Sequence, residues 1–362
     1  MKSAWSLLLV VLAVLPAGTV RAASPPADLG QRWIDGYVRP QAAALVQAAG
    51  AVDTALSAYC AAPGDAAAYE AVRTRVGALA QAWGRIEFLR FGPLVEANRF
   101  ERFAFFPDPR GLVQKQVGAL LAAADTAVLE EGALAARSVA VQGLPALDHA
   151  LFATDAADVI GRDDAAGRYR CAYARAVART LGRTAGEIAH GWSTEGTFAR
   201  EFARPAAGNR LYRTPAEVAA EGVKALSGGI QFVRDIKLAP ALGTGPDSAR
   251  GQRLPLWRSG ATARLLSGTV TGMRDFLDAG RLGETLAADA RWVSAAFHDE
   301  ATRIAQGLDA VPLPLDRALT EPEARAAIEL AMLQLKNLQD INDAFLAPAL
   351  GVNIGFNAFD GD

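Results

Sequence analysis

Two short stretches put ionisable side chains where the pattern calls for apolar ones. In the first, Tyr69, Val72, Val76, Leu79, Trp83 and Ile86 step by threes and fours along one helical face, and the next inward step falls on Arg90. Glu87 lies one turn after Trp83 and three residues before Arg90, close enough to pair on the same face. A charge at the end of an apolar stripe must be paired or solvated, because an isolated buried ion is very costly. The pair marks either a polar site near the helix end or a surface ion pair where the stripe runs out, just before Phe91-Gly92-Pro93.

The second stretch is Gly143-Leu144-Pro145-Ala146-Leu147-Asp148-His149. Gly143 ends an extended piece and Pro145 fits the first turn of a new helix. Asp148 then falls in the opening turn, where its charge favours the positive helix end, so stability alone accounts for it. His149 reads as a ligand, a base, or a solvated side chain. The other histidines have simpler readings: His190 precedes the stop at Gly191, and His298 stands beside Asp299 and Glu300 on a solvated face. No H-E-x-x-H, Walker loop, G-x-S-x-G or dinucleotide fingerprint occurs. Ser259, after Trp257-Arg258, reads as the cap of the next helix, with nothing nearby to make it a nucleophile. These residues favour a binding protein over an enzyme.

The elements that must position them are helices, since three-four spacing is nearly everywhere and period-two alternation nearly nowhere. Further stripes are Leu45, Ala48, Val52, Leu56, Tyr59; Val113, Val117, Leu120, Ala124, Val128; and Tyr173, Val177, Leu181, Thr184, Ile188. The second half repeats the pattern with Val223, Leu226, Ile230, Val233; Leu266, Val270, Met273, Leu277; Leu286 through Leu308; and Ile328, Ala331, Leu335, Leu338, Ile341, Phe345. Thr214-Pro215-Ala216-Glu217 and Thr320-Glu321-Pro322-Glu323 read as capped helix starts. Helices with one apolar stripe each can bury it only against one another, so the spacing predicts an all-α protein of antiparallel bundles. The length predicts two domains, residues 23–200 and 201–362, divided in the irregular stretch Thr194 to Arg213. Ala239 to Pro255 reads as a long loop.

Composition removes other classes. The 362 residues carry 37 basic against 39 acidic side chains, a balance unlike that of a nucleic-acid binder. Lys2, the apolar run Leu7 to Leu15 and Val20-Arg21-Ala22 read as a signal peptide over residues 1–22, cleaved near Ala22 (the alternative is an uncleaved anchor). No comparable run follows, so the mature chain is expected to be exported, periplasmic and not transmembrane. Two cysteines in an oxidising compartment usually pair, and Cys60–Cys171 would staple the first long helix to a later one; the alternative is two buried thiols.

Several segments together resemble the imelysin-like family of exported bacterial proteins. They are Trp83-Gly84-Arg85-Ile86-Glu87-Phe88-Leu89-Arg90-Phe91-Gly92-Pro93, Phe105-Phe106-Pro107-Asp108, Gly143 to Asp148, Arg170-Cys171-Ala172-Tyr173, Trp257-Arg258-Ser259-Gly260 and the closing Gly355 to Asp362. The likeness spans nearly the whole mature chain, in order. It implies two helical bundle domains with a pocket where they meet, a periplasmic location, a part in bacterial iron uptake, and a peptidase label. The family signature is G-x-H-x-x-E. Here Gly143 matches, Pro145 stands at the His position and Asp148 at the Glu position, as in a G-L-P-A-L-[DE] branch. The departure removes the best metal ligand of the motif.

Through this resemblance the expected ligand-binding residues are Trp83, Glu87, Arg90, Asp108, Asp148, His149, Arg258 and Ser259. Glu87, Asp108 and Asp148 are candidate iron ligands, since ferric iron prefers hard oxygen donors. No catalytic residue is assigned. The expectation is a non-catalytic binding or accessory protein of iron uptake; the alternatives are a metallopeptidase and a helical scaffold docking an outer-membrane partner.

Overall fold

The computed structural model describes residues 23–312, 314–353 and 355. The expected signal peptide and most of the closing motif, including Asp360 and Asp362, lie outside the described residues. Among the described residues every regular element is helical, as the stripe periodicity predicts.

Two helices built from the clearest stripes come first: α1 (Arg39–Ala61) and α2 (Ala66–Glu87). Asp65 starts α2 by accepting the amides of Ala67 and Ala68 at 2.8 and 3.1 Å. Helices α3 (Leu112–Ala123), α4 (Gly143–Phe152) and α5 (Ala165–Gly191) complete the first half. The second half contains α6 (Pro215–Gln231), α7 (Thr262–Ala279), α8 (Trp292–Asp309) and α9 (Pro322–Asp340). The α6 start is capped as expected, Thr214 accepting the Glu217 amide at 3.3 Å. The α9 start is not: Thr320 donates its hydroxyl to the Arg317 carbonyl, and Glu321 occupies the cap position.

Helix α5 lies antiparallel on α1. The disulfide joins Cys60 to Cys171, Asp53 pairs with Arg175 at 3.3 Å, and Arg39 reaches the Trp192 carbonyl at 2.8 Å. The expected disulfide is therefore present. With 111 residues between its cysteines, its chain-entropy contribution is about 4–5 kcal/mol.

The most extensive helix–helix contact joins the two halves of the sequence, α2 to α7. Gly77 faces Arg264, Gly268 faces Gln81 and Gly272 faces Arg85, so the two helices run parallel. The reading of antiparallel bundles throughout therefore fails at this pair. Small residues allow the approach: a Cβ on Gly84 would sit 2.3 Å from the Leu265 carbonyl oxygen, and one on Gly268 would sit 2.6 Å from that of Gln81. From α7 the stack continues to α8, antiparallel through Asp278–His298 at 2.7 Å and Arg274–Thr302 at 3.1 Å, and then to α9.

The buried apolar residues form one continuous core from Leu29 to Val352. At the division expected between residues 194 and 213, the short helix Thr197–Ala203 sends Phe198 and Phe202 into that core. Phe202 meets Trp33, Phe91 and Trp192 there, with ring centroids 5.5 to 6.2 Å apart. Ala239 to Pro255 is only in part the expected loop: it opens with the short helix Ala239–Leu242 and carries the helical turns Pro246–Ser248 and Gly251–Arg253.

Other differences have local causes. Helix α3 stops at Ala123 because Ala124 turns into the left-handed region, so Val128 is buried from a separate turn. Helix α9 passes into a π-helical turn, Ile341–Leu346, and wider π turns also occur at Ile34–Val38 and Phe232–Leu238. After Leu338 the buried positions include Asn342 and Leu346, whereas Ile341 is half-buried and Phe345 exposed. The expected stripe fails there by one residue.

Replacing Gly84 by Ala forces α2 and α7 apart and is expected to destabilise the fold by about 2–4 kcal/mol in urea unfolding. Gly118→Ala, on α3 with open space at its Cβ, is expected to stabilise it by up to about 1 kcal/mol. Equal effects would contradict the close-approach reading.

Candidate functional site

A cavity of about 570 Å³ lies where the C-terminal end of α2, the Phe105–Asp108 stretch, the start of α4, the Phe232–Leu238 turn and the loop before α7 come together. Its volume falls in the range of small-molecule sites, roughly 300–1,000 Å³. Trp83, Glu87, Asp108, Asp148 and Arg258 line it; Arg90, His149 and Ser259 do not.

The partner of Glu87 is Lys237, not the expected Arg90. The Lys237 ammonium donates directly to Glu87 Oε1, and the Thr269 hydroxyl donates to the same oxygen at 2.6 Å. Both charges are buried, 2 % and 1 % exposed, which excludes the surface ion pair at this position. Burial pushes the Lys237 ammonium below its usual range, and the Glu87 carboxylate counteracts it. Arg90 has a different role. Its guanidinium lies 4.0 Å from the Phe100 ring centroid and 4.7 Å from that of Phe232, behind two rings of the cavity wall.

Asp148 is not in an opening turn. Helix α4 begins at Gly143, so Asp148 sits in its middle, 2 % exposed, and Oδ1 accepts the Ser259 amide at 3.0 Å. Burial pushes its carboxyl up to about 6, while hydrogen bonds from Ser259 and the charge of Arg258 pull the other way. Ser259 does not cap α7: its hydroxyl donates to the Leu256 carbonyl at 3.0 Å, and Ala261 precedes the helix. His149 is buried, with no partner at Nδ1 among the described residues, and burial together with Arg258 and Arg170 pushes it down to about 4. It is neutral near pH 7. His298, expected to be simply solvated, pairs with Asp278 on the exposed side of α7 and α8.

The Arg170-Cys171-Ala172-Tyr173 segment holds α4 in place. Arg170 donates to the Ala150 carbonyl at 2.9 Å near the end of α4, Tyr173 to the Val141 carbonyl at 2.7 Å just before its start, and Cys171 carries the disulfide. Arg258 lies over the Trp257 ring, 4.5 Å from its centroid, at the cavity wall.

A metal does not fit this donor set. Both oxygens of Asp108 accept backbone amides, from Leu112 and Val113 at 2.8 Å each, so the residue caps α3. Glu87 is held by Lys237 and Thr269, and Asp148 by Ser259. Among the described residues no group of three or more His, Cys, Asp or Glu side chains is placed to hold a metal ion. The candidate iron ligands Glu87, Asp108 and Asp148 thus line one cavity, each with an oxygen already bonded within the protein.

The residue that sequence reasoning missed is Lys237. The stripe Val223, Leu226, Ile230, Val233 reaches it in one further step of four, as the Trp83 stripe reaches its own charged end. The available signal was a cation one step beyond this stripe and a carboxylate, Glu87, one turn beyond Trp83. Thr269 carried none, being a hydroxyl on an otherwise apolar α7 face.

Glu87→Gln strands a buried ammonium and is expected to cost about 3–5 kcal/mol in urea unfolding, most of it recovered on adding Lys237→Met. Asp148 and His149 titrate against each other. The stability that Asp148 contributes is complete below its unfolded value of 3.8 and lost as pH rises through about 6. That from His149 is complete above 6.5 and lost as pH falls through about 4, so the two slopes cancel between these limits. Asp148→Asn should make unfolding free energy fall on acidification, and His149→Gln should make it fall on raising pH, each by up to about 1.4 kcal/mol per pH unit. Urea titrations between about pH 4.5 and 6 check both slopes; slopes of one sign would refute the assignment.

Among the described residues no helix is long and apolar enough to cross a membrane. No protein of curated function matches the sequence. Among solved structures, an imelysin-like protein from Psychrobacter arcticum 273-4 superposes with a TM-score of 0.76 at 20 % identity, covering 93 % of this chain and 100 % of its own. A protein described as an iron-regulated protein A precursor, from Parabacteroides distasonis ATCC 8503, gives a TM-score of 0.68 at 13 % identity, covering 89 % of this chain and 97 % of its own. Both likenesses concern the fold. The sequence profile of the family described as Peptidase M75, Imelysin, matches residues 38–341. With so much of its length matched, this chain belongs to the imelysin family.

Proposed function

We propose that this imelysin-family protein is an exported, periplasmic binding or accessory component of bacterial iron uptake that acts without catalysing a reaction. The observation that carries the reading is the cavity between α2, α4 and the loop before α7, lined by aromatic rings and by carboxylates already committed to protein partners. Such a site is built to hold a small molecule rather than to coordinate a bare ion. The link to iron is supported by a structural relative described as iron-regulated. The same commitments weigh against the metallopeptidase alternative, which needs about three protein ligands and an open water position.

A deletion strain grown with and without an iron chelator tests the role. Growth and uptake of radioactive iron are expected to fall only under limitation, and to be restored by the wild-type gene but not by Ala104→Trp, which fills the cavity. Unchanged growth and uptake at every iron supply would sink the proposal, as would rescue by a folded Ala104→Trp protein.

A further inference from the structure

The charged groups of the cavity wall are not equally occupied. Glu87 and Lys237 neutralise each other, Asp108 is spent on two helix amides, and Asp148 is sealed against the Ser259 amide. Arg253 is exposed and gives one hydrogen bond, to the Pro240 carbonyl at 3.3 Å. Arg258 differs from all of these. It is half-buried, and among the described residues its guanidinium has neither a hydrogen bond nor an ion-pair contact.

What holds Arg258 is Trp257, whose ring lies beneath the guanidinium. Stacking by its face leaves the N–H edges of an arginine available, and those edges match the two oxygens of a carboxylate. The contact also limits the rotamers a binding event would have to fix. Around this cation the wall is aromatic: half-buried Phe105 and Phe106 line the same space, with Phe232 packed edge-on against Phe106 at 6.5 Å. A bare inorganic anion would leave that apolar surface unused, and a neutral hydrocarbon would leave the N–H edges of the guanidinium without an acceptor.

We propose that the cavity receives an aromatic carboxylate, its carboxylate forked on Arg258 and its ring among Phe105, Phe106 and Trp257. The inference rests on the ligand-holding role given above and names the ligand class. It makes Arg258 the residue that discriminates charged from neutral ligands of one shape.

Isothermal titration of the mature chain with 2-naphthoate and with its neutral isostere 2-naphthamide tests this. The wild type is expected to bind the carboxylate about tenfold or more tightly than the amide. Arg258→Gln should abolish that preference, weakening the carboxylate far more than the amide, and Arg258→Lys should restore only part of it, because an ammonium keeps the charge without the fork. The wild-type preference does not depend on any variant folding. Equal affinity for both probes would overturn the anion assignment and leave the cavity as a ligand site. Binding of neither probe would overturn it together with the ligand-holding role of the cavity.

Discussion

Two helices from opposite halves of the chain each carry an apolar stripe that ends in a charge, and neither charge could be buried alone. Glu87 closes α2, Lys237 closes the helix that continues α6, and each supplies the counter-charge the other requires. Desolvating both is costly, so the pair adds little net stability, but it sets the register of its surroundings tightly. Its oxygen also takes the Thr269 hydroxyl, which fixes the rotation of α7 on α2 where glycines bring the two backbones close. The cavity begins where this contact ends. Its walls follow from how three elements meet at one ion pair.

The helices themselves were legible from spacing, because burying one face of a long helix leaves a period that no other structure produces. The stripes read for α5, α6 and α7 are buried residue by residue, and that of α2 is buried from Val72 to Ile86, with Tyr69 half-buried at its start. The pairing of the cysteines was legible too, from their number and the compartment expected from the sequence. Helix direction was not: the parallel packing of α2 and α7 depends on glycines whose meaning appears only once a partner backbone faces them.

The site was half legible, for a definable reason. Trp83, Glu87, Asp108, Asp148 and Arg258 share one cavity, but Glu87 and Asp148 take partners more than a hundred residues away in sequence. Glu87 looked toward Arg90 because three residues are a visible distance and 150 are not. Asp148 looked like a helix-end charge because the start of α4 was placed two residues late. Asp108 looked like a free oxygen donor until α3 supplied two amides for it. In each case local pattern identified an ionisable group that needed explanation; for Glu87 and Asp148 only tertiary contact could say what satisfied it, and for Asp108 only the exact start of α3.

The three π-helical turns bear on how such a chain can change over time. Each accommodates an extra residue inside a helix, and the surplus rotates everything beyond it by roughly a quarter-turn or more without disturbing the connecting segments. Asn342 faces the interior and Phe345 the solvent for this reason. Single-residue insertions and deletions at these places would act as phase shifters, exchanging which side chain a helix presents inward while the bundle around it stays as it is.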